Sequence, residues 1–305
     1  MLTTIERNDV KVLFDEDVRS RLEAADAVCA ARRAAVDAHK GALATPPRLH
    51  ADLGENGLVF TAGGYADGLL GFRVYGLWPG DSDQAVLVWE GNGRLKGCVV
   101  GSELGARRTG ALGGAAVDAL ARANATSIGI IGSGVQAWTQ LWAIAAARRL
   151  TRVRIFSPTR ENGETFSQRA KAELGLQAAP CDTAEEAVID ADIVVLATRS
   201  EQPVIEADWI RPGTHLNTIG PKLASAHETP SELAESADAF VSDSPEQAYA
   251  YGTPFFTRRA LTHLGAVIAG DHPGRTSEND ITLYCSTGLA GSEVILAESL
   301  LATVN

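Results

Sequence analysis

The second half of the chain alternates between short apolar runs and segments of helical length. The runs are rich in Ile, Val, Leu and Phe. Because strands that alternate with helices of about 10 to 15 residues form βαβ units, this half predicts a parallel sheet. The predicted strands are residues 127–132, 153–157, 192–198, 215–220, 239–243 and 266–270, and the predicted helices include 135–149, 161–174 and 183–190.

The first third of the chain carries a different pattern. A helical segment ends at Gly41, and β-rich runs follow it. The last two runs are separated by Gly-Asn-Gly-Arg at 91–94, a hairpin signal that implies antiparallel pairing. The pattern changes after Gly105, so a domain boundary is expected near residue 106, while an apolar helix at 290–303 could belong to either part. The β-rich runs are residues 69–75, 85–90 and 95–100.

The composition narrows the class of protein. The 305 residues include 27 Lys plus Arg and 38 Asp plus Glu, which gives a net charge of −11. A protein that binds nucleic acid or an anionic membrane needs a basic surface, so neither partner is expected. No apolar run reaches the length of about 18 residues that spans a membrane, and the N-terminal segment lacks the apolar core of a signal peptide.

Cysteine and histidine spacing argues against metal and disulfide chemistry. The four cysteines, Cys29, Cys98, Cys181 and Cys285, are scattered and form no CxxC pair. Such spacing is typical of reduced thiols in the cytoplasm. The histidines show no metal-ligand spacing either. We therefore expect a cytoplasmic protein without a metal site.

One glycine-rich turn carries a dinucleotide signal. Gly132, Gly134 and Ala137 form the pattern G-x-G-x-x-A between a predicted strand and a predicted helix. The first glycine permits the tight turn, the second lets the backbone approach a pyrophosphate, and the alanine lets the helix pack on the strand. The N–H groups at the start of the helix, including those of Val135 and Gln136, would face the phosphates.

The end of the next strand bears on the choice of dinucleotide. An acidic residue there would bind the ribose 2′-OH of NAD, and the sequence has none. Ser157, Thr159 and Arg160 could hold a 2′-phosphate instead, although Arg160 could also simply begin the next helix at the surface. The pattern favours NADP(H), with NAD(H) as the alternative.

Several segments, in order along nearly the whole chain, together resemble the ornithine cyclodeaminase/mu-crystallin family. The Rossmann motif is generic, whereas the set P-x-R, R-T-x-A and I-T-L-Y-x-S-x-G is specific to this family. The matching segments are residues 46–48, 71–75, 108–111, 132–137, 197–198, 219–220 with Glu228, 274–275 and 281–288.

The resemblance implies an α/β protein with two domains. One, expected at residues 1–106 with 289–305, is an N-terminal α+β domain for substrate binding and dimerisation, completed by the C-terminal helix. The other, expected at 107–288, is the Rossmann domain that binds NAD(P). Members of the family include amino-acid cyclodeaminases, alanine dehydrogenases and imino-acid reductases, and they usually form homodimers.

The resemblance assigns Arg48 and Arg108 to the substrate carboxylate. Arginine suits this task because its planar fork makes two hydrogen bonds to a carboxylate and stays charged. Arg107 stands beside Arg108. Because adjacent residues of a helix point in different directions, only one of the two is expected to face the substrate, and the family motif selects Arg108.

Four further residues are expected at the cofactor. Thr198 and Asn217 lie at the carboxyl ends of predicted strands, where ligands gather in open parallel sheets. Both are expected near the nicotinamide. Thr109, in the R-T-x-A motif, and Gly220, at the end of a predicted strand, are assigned to cofactor binding as well.

Two positions depart from the cyclodeaminase pattern. Arg73 stands where the family usually has Lys; it can bind a carboxylate and act at the reaction centre, but its pKa of ~12.5 or higher makes it a poor proton shuttle. Lys222 stands where cyclodeaminases have an Asp that accepts a proton from the amine. A protonated Lys222, or His227 five residues later, would instead donate a proton to an imine nitrogen. The substitution favours imine reduction.

We therefore expect an NAD(P)H-dependent reductase of a small 2-imino acid that also works in reverse as an amino-acid dehydrogenase. Arg48, Arg73 and Arg108 would orient one or more carboxylates. A cyclic ketimine such as pyrroline-2-carboxylate and an acyclic or dicarboxylic imino acid both stay open as substrates. The alternatives are an ornithine-type cyclodeaminase that releases ammonia and a catalytically silent NADPH-binding protein.

Overall fold

The computed structural model describes residues 10–66, 68–78, 83–250, 252–257 and 260–303, so most of the segment in which no signal peptide is expected lies outside them. None of the described helices has the length and apolar character needed to cross a membrane. The first elements are β1 (Lys11–Leu13), α1 (Asp15–Arg21), α2 (Ala24–His39), β2 (Leu43–Ala44), β3 (Leu49–Leu53), β4 (Asn56–Tyr65), β5 (Leu70–Gly76), β6 (Gln84–Trp89), β7 (Leu95–Val100) and α3 (Glu103–Leu120).

The remaining elements alternate between strands and helices. In chain order they are β8 (Ser127–Ile131), α4 (Val135–Ala147), β9 (Arg152–Phe156), α5 (Arg160–Leu174), β10 (Ala178–Pro180), α6 (Ala184–Val188), β11 (Ile193–Leu196), a 3₁₀ turn (Ala207–Trp209), β12 (His215–Thr218), β13 (Lys222–Leu223), β14 (Ala226–His227), α7 (Ser231–Ser236), β15 (Ala239–Ser242), α8 (Pro245–Ala248), β16 (Thr262–His263), α9 (Leu264–Ala269), β17 (Thr282–Cys285) and α10 (Ser292–Ala302).

The chain divides into two compact units. The first comprises Met1–Glu23, Lys40–Gly105 and Ala290–Asn305, and the second comprises Ala24–His39 and Ala106–Leu289. This grouping differs from the expected boundaries in one segment, because α2 joins the second unit rather than the first.

Helix α2 belongs to the second unit because its small residues allow very close packing there. A Cβ added to Gly265, in α9, would lie 1.9 Å from the carbonyl oxygen of Ala35, so only glycine fits at that contact. Arg32 on α2 also forms an ion pair with Asp118 on α3. The sequence pattern identified this segment as a helix but gave no sign of which sheet it would join.

The first unit is built on a sheet with the strand order β1-β7-β6-β5-β4-β2, in which β3 also pairs with β4. The β1–β7 pair is parallel and the other pairs are antiparallel, as the hairpin signal predicts. Helix α10 packs against β4 to β7. The residue before α10 lies very close to β4, since a Cβ on Gly63 would be 2.4 Å from the Cα atom of Gly291.

The second unit contains an eight-stranded parallel sheet with the order β10-β9-β8-β11-β12-β17-β15-β16. Its central strands are buried along their whole length, as parallel strands covered on both faces must be. This is the α/β fold expected from the alternating pattern. One predicted strand was wrong: residues 266–270 lie mostly in α9, because periodicity alone cannot tell a short apolar run in a helix from one in a strand.

Candidate functional site

The glycine-rich turn after β8 has the form of an anion-binding helix start. Gly132 has φ +108°, and a Cβ there would lie 2.3 Å from the carbonyl oxygen of Ala197. Gly134 precedes α4 without a side-chain cap, nothing lies within 4 Å of the place of its absent Cβ, and the first turn has no acidic residue. The start of α4 therefore has N–H groups without a side-chain cap and room beside Gly134, which suits a pyrophosphate.

The first turn of α4 adds a second observation that indicates a ligand. The Oε1 atom of Gln136 is buried and has no hydrogen-bond partner among the residues that the structure describes. A buried acceptor without a donor is costly, so such atoms usually meet a water or a ligand. Val135, beside it, is largely exposed. The residues present at this turn therefore fit a dinucleotide.

Ser157 and Thr159 lie directly after β9, next to this turn. The Ser133 hydroxyl, inside the glycine motif, donates to the Ser157 hydroxyl at 3.0 Å. Thr159 precedes α5 and makes no side-chain capping bond. The structure thus brings the predicted ribose-binding segment beside the predicted pyrophosphate-binding turn, at the carboxyl edge of the parallel sheet.

Arg160 is already engaged by two carboxylates. Its Nε donates to Oε1 of Glu164 at 3.1 Å, and its guanidinium also pairs with Asp182. The hydrogen bond to Glu164 and the charge of Asp182 raise the pKa of Arg160 above its usual value. The motif search missed Asp182 because this residue follows β10, the parallel neighbour of β9, rather than β9 itself.

A buried carboxylate organises the ends of β11 and β12. Oε2 of Glu228 accepts hydrogen bonds from the N–H and the hydroxyl of Thr198, both at 2.8 Å. Its Oε1 accepts from the Thr218 hydroxyl at 3.0 Å, and from the N–H groups of Ile219 at 3.0 Å and Gly220 at 2.5 Å. Glu228 is fully buried, so it fixes two of the predicted cofactor-binding residues, Thr198 and Gly220, against each other.

Lys222 and His227 lie opposite each other in the two-stranded pair β13–β14. The Lys222 Nζ donates to the carbonyl oxygens of Ile219 at 2.8 Å and Gly220 at 2.5 Å. The Nδ1 atom of His227 is 2.8 Å from the carbonyl oxygen of Thr229, which can only accept, so Nδ1 carries a proton. Lys222 is therefore a hydrogen-bond donor at the carboxyl end of β12.

The structure corrects the expectation for Asn217. Its side chain is fully buried, with Oδ1 2.9 Å from Nε2 of His215 and Nδ2 donating to the Gly113 carbonyl at 3.2 Å and to Gln140 at 3.0 Å. Burial lowers the pKa of His215 to about 3, so this network is uncharged. Asn217 holds β12 against α3 and α4 instead of pointing to the end of its strand, and we do not retain it as a nicotinamide contact.

Thr109 is tied into the same network through its backbone. Its carbonyl oxygen accepts a hydrogen bond from the Gln140 amide at 3.1 Å. Its neighbour Arg108 is buried, with 3% of its surface exposed. Arg107 points elsewhere, since its guanidinium carbon lies 4.6 Å from the centre of the Trp142 ring. The two adjacent arginines of α3 therefore have different surroundings, as their helical spacing predicts.

The other two candidate arginines belong to the first unit. Arg48 lies half-buried in the connection between β2 and β3. Arg73, on β5, donates to the Gln84 side chain and pairs with Glu293 across 3.2 Å. Sequence reasoning missed Glu293, which is more than 200 positions away along the chain. Within the described part of the chain, no three His, Cys, Asp or Glu side chains cluster as metal ligands would.

Comparison with known proteins adds a family to this geometry. The sequence model of the ornithine cyclodeaminase/mu-crystallin family matches residues 8–302. The chain is similar to a Delta(1)-pyrroline-2-carboxylate reductase of Bacillus thuringiensis, with 34% identity over 209 residues. That alignment covers 66% of this chain and 64% of the reductase, so the match spans slightly less than two thirds of the relative's length.

Two solved structures share the fold over almost the whole chain. One is the Delta(1)-pyrroline-2-carboxylate reductase of Thermococcus litoralis in complex with NADH and L-proline, with a TM-score of 0.86, 26% identity and coverage of 95% of this chain and 96% of that one. The other is an archaeal alanine dehydrogenase dimer with bound NAD, with a TM-score of 0.87, 26% identity and coverage of 96% and 95%.

Proposed function

Because this chain belongs to the ornithine cyclodeaminase/mu-crystallin family, we propose that it reduces a small 2-imino acid to the L-amino acid with a nicotinamide dinucleotide, and that it also runs in reverse. The observation that carries this proposal is the Lys222 amino group, which two carbonyl groups hold as a hydrogen-bond donor at the carboxyl end of β12. The names of the two similar pyrroline-2-carboxylate reductases support the same reaction class.

Lys222 is the proposed proton donor to the imine nitrogen. Proton transfer to that nitrogen makes the imine carbon more electrophilic, which favours reduction over the deprotonation that begins amine oxidation. His227 is the weaker candidate, because its protonated Nδ1 is committed to the Thr229 carbonyl and its ring stacks on Phe255 with centroids 5.4 Å apart. In the reverse direction, the neutral form of Lys222 would accept the proton.

The start of α4 is the proposed binding place for the cofactor. Gly132, Gly134, Val135 and Gln136 would hold the pyrophosphate, and Ser157 with Thr159 would lie at the adenosine ribose. The bound dinucleotide supplies the hydride that reduces the imine carbon. Thr198, Gly220 and Thr109 are proposed to line the nicotinamide end, where Glu228 holds the first two in place.

Arg48 and Arg108 are the proposed ligands of the substrate carboxylate. Each offers paired N–H donors, and the burial of Arg108 strengthens a charge-assisted hydrogen bond by excluding water. Arg73 has a different environment, because Gln84 and Glu293 already accept its hydrogen bonds.

The proposal predicts that purified protein oxidises NADH or NADPH when given 2-imino acids such as pyrroline-2-carboxylate, and reduces NAD(P)⁺ when given the matching L-amino acid. The measurement is absorbance at the nicotinamide band across a substrate panel. Loss of added ornithine with release of ammonia and no added reductant would indicate a cyclodeaminase instead. Binding of cofactor together with silence across the panel would indicate a non-catalytic protein. Light scattering on the same preparation tests the homodimer that we include in the proposal.

For the cofactor we propose NAD(H) over NADP(H), contrary to the expectation from the sequence. Arg160 cannot offer a free positive charge to a 2′-phosphate while Glu164 and Asp182 pair with it. We predict that Asp182→Asn lowers the Kd of NADPH about fivefold and changes the Kd of NADH less than about twofold, because one negative charge near the phosphate is removed in a solvated place. Fluorescence titration of the nicotinamide measures both constants.

Two controls accompany this titration. Glu206→Gln removes an exposed carboxylate that precedes the 3₁₀ turn, outside the residues proposed to bind the cofactor, and should leave both constants unchanged. Adding Arg160→Ala to Asp182→Asn should cancel the gain for NADPH. Tighter binding of NADPH than of NADH by the wild-type protein would contradict the proposed preference. An unchanged Kd of NADPH in Asp182→Asn would mean that Asp182 does not contribute to that preference.

A further inference from the structure

Arg73 and Glu293 form a buried ion pair within the first unit. The Nη1 atom of Arg73 lies 3.2 Å from Oε1 of Glu293, and the two side chains are 11% and 2% exposed. Gln84 occupies another edge of the guanidinium, accepting from Nε at 3.0 Å and also from Nη2. The guanidinium carbon lies 4.5 Å from the centre of the Tyr75 ring. The chain itself thus supplies a carboxylate to this arginine.

We propose that Glu293 neutralises Arg73 and thereby restricts the substrate to 2-imino acids with one carboxylate. The inference rests on the proposed function, in which Arg48 and Arg108 bind the carboxylate next to the imine carbon. Arg73 lies close to the start of the helix that carries Arg108, because a Cβ on Gly105, three residues before Arg108 in α3, would meet the Nη2 atom of Arg73 at 2.8 Å. Arg73 is therefore the natural place for a second carboxylate. Paired with Glu293, it presents no net charge to such a group.

The fold leaves this ion pair little freedom. Arg73 is in the middle of β5, opposite Thr61 on one neighbouring strand and Val86 on the other. Glu293 is in the first turn of α10, where the partial positive charge of the helix start stabilises a carboxylate. Helix α10 is packed closely on the same strand, as a Cβ on Gly71 would lie 3.1 Å from Val294. Strand and helix therefore hold both partners in place.

The cost of separating the pair explains the restriction. A dicarboxylic substrate could reach Arg73 only by sharing it with Glu293 or by displacing Glu293. Two carboxylates that share one buried cation repel each other, and a displaced Glu293 would remain buried without its counter-charge. Either outcome penalises the second carboxylate, whereas a substrate with one carboxylate or with a cyclic apolar body leaves the pair intact.

The test compares L-proline with L-aspartate as substrates of the oxidation with NAD⁺, since both amino acids are stable in solution. The quantity measured is the ratio of kcat/KM for aspartate to kcat/KM for proline. Glu293→Gln leaves a hydrogen-bond acceptor beside Arg73 but removes the charge, so we expect this ratio to rise about 10- to 100-fold. Glu293→Asp keeps the charge and should keep the ratio close to that of the wild type.

A matched control is available on the same helix. Glu298 of α10 pairs with Lys96 at 2.6 Å, so Glu298→Gln removes an equal charge from a neighbouring ion pair and should leave the ratio unchanged. A competitive inhibition series with cyclopentanecarboxylate and succinate gives a binding readout. Succinate should inhibit Glu293→Gln at least about tenfold more strongly than the wild type.

The outcomes separate this inference from the proposed function. A wild-type preference for aspartate overturns the inference, and this measurement needs no folded variant. A folded Glu293→Gln protein with an unchanged ratio and unchanged succinate inhibition overturns it too. Failure of the proposed function would give a different result, because neither L-proline nor L-aspartate would then be oxidised. There would be no activity for cyclopentanecarboxylate or succinate to inhibit.

Discussion

Replacing Arg108 with Met is expected to lower kcat/KM for a 2-imino acid about 1000-fold while changing the Kd of NADH less than about twofold. Arg108 is buried, so the carboxylate it is proposed to bind would lose a charge-assisted hydrogen bond away from water. Truncating one partner of such a pair costs about 2 to 5 kcal/mol, and a 1000-fold loss corresponds to about 4 kcal/mol. Methionine keeps the aliphatic stem and removes only the charged fork.

Arg107 offers a matched control for this prediction. It is the preceding residue of α3 and is as deeply buried, but its guanidinium lies over the Trp142 ring. Arg107→Met should therefore lower kcat/KM less than about fivefold, at the cost of one cation–π contact. Equal losses in the two variants would mean that the effect is a general disturbance of α3. A parallel loss of NADH affinity in Arg108→Met would also contradict the assigned role, and thermal unfolding of both proteins checks their stability.

Much of the second unit could be predicted from the sequence because its signals are local. An apolar run, a glycine turn and a helix start follow one another within a few residues at β8 and α4, and the structure has all three. The predicted helix that begins near residue 183 is present as α6, and the Thr183 side chain caps it by accepting a hydrogen bond from the Glu186 N–H. Each of these features depends on neighbours along the chain.

The features that the sequence could not supply depend on contacts across the sheet or between distant segments. Asp182 meets Arg160 because β10 and β9 are neighbours, and Glu293 meets Arg73 because the C-terminal helix covers β5. Asn217 was expected at a ligand because it lies near the end of a strand. Its side chain instead faces the helices that cover the sheet, and the pattern of a fully buried strand does not say which face each residue uses.

Replacing Glu228 with Gln should have the largest effect on stability, lowering the free energy of unfolding by about 3 to 5 kcal/mol. Every hydrogen bond that the structure records for the Glu228 carboxylate is one that it accepts, three on Oε1 and two on Oε2. An amide has only one acceptor oxygen, so its NH₂ group would face two or three donors whichever way it turned. The N–H groups of Ile219 and Gly220, or that of Thr198, would then be buried without an acceptor.

The same change should weaken NADH binding at least about tenfold, since Thr198 and Gly220 would lose the group that holds them together. Urea denaturation measures the stability, and nicotinamide fluorescence measures the binding. Glu232→Gln is the control, as this residue is exposed in the first turn of α7 and should change the stability by less than about 1 kcal/mol. A loss of stability without a loss of NADH affinity would mean that Glu228 stabilises the fold but does not support cofactor binding. Unchanged stability would mean that the five donors find other acceptors. The Glu228 carboxylate would then not be needed to hold the ends of β11 and β12 in place.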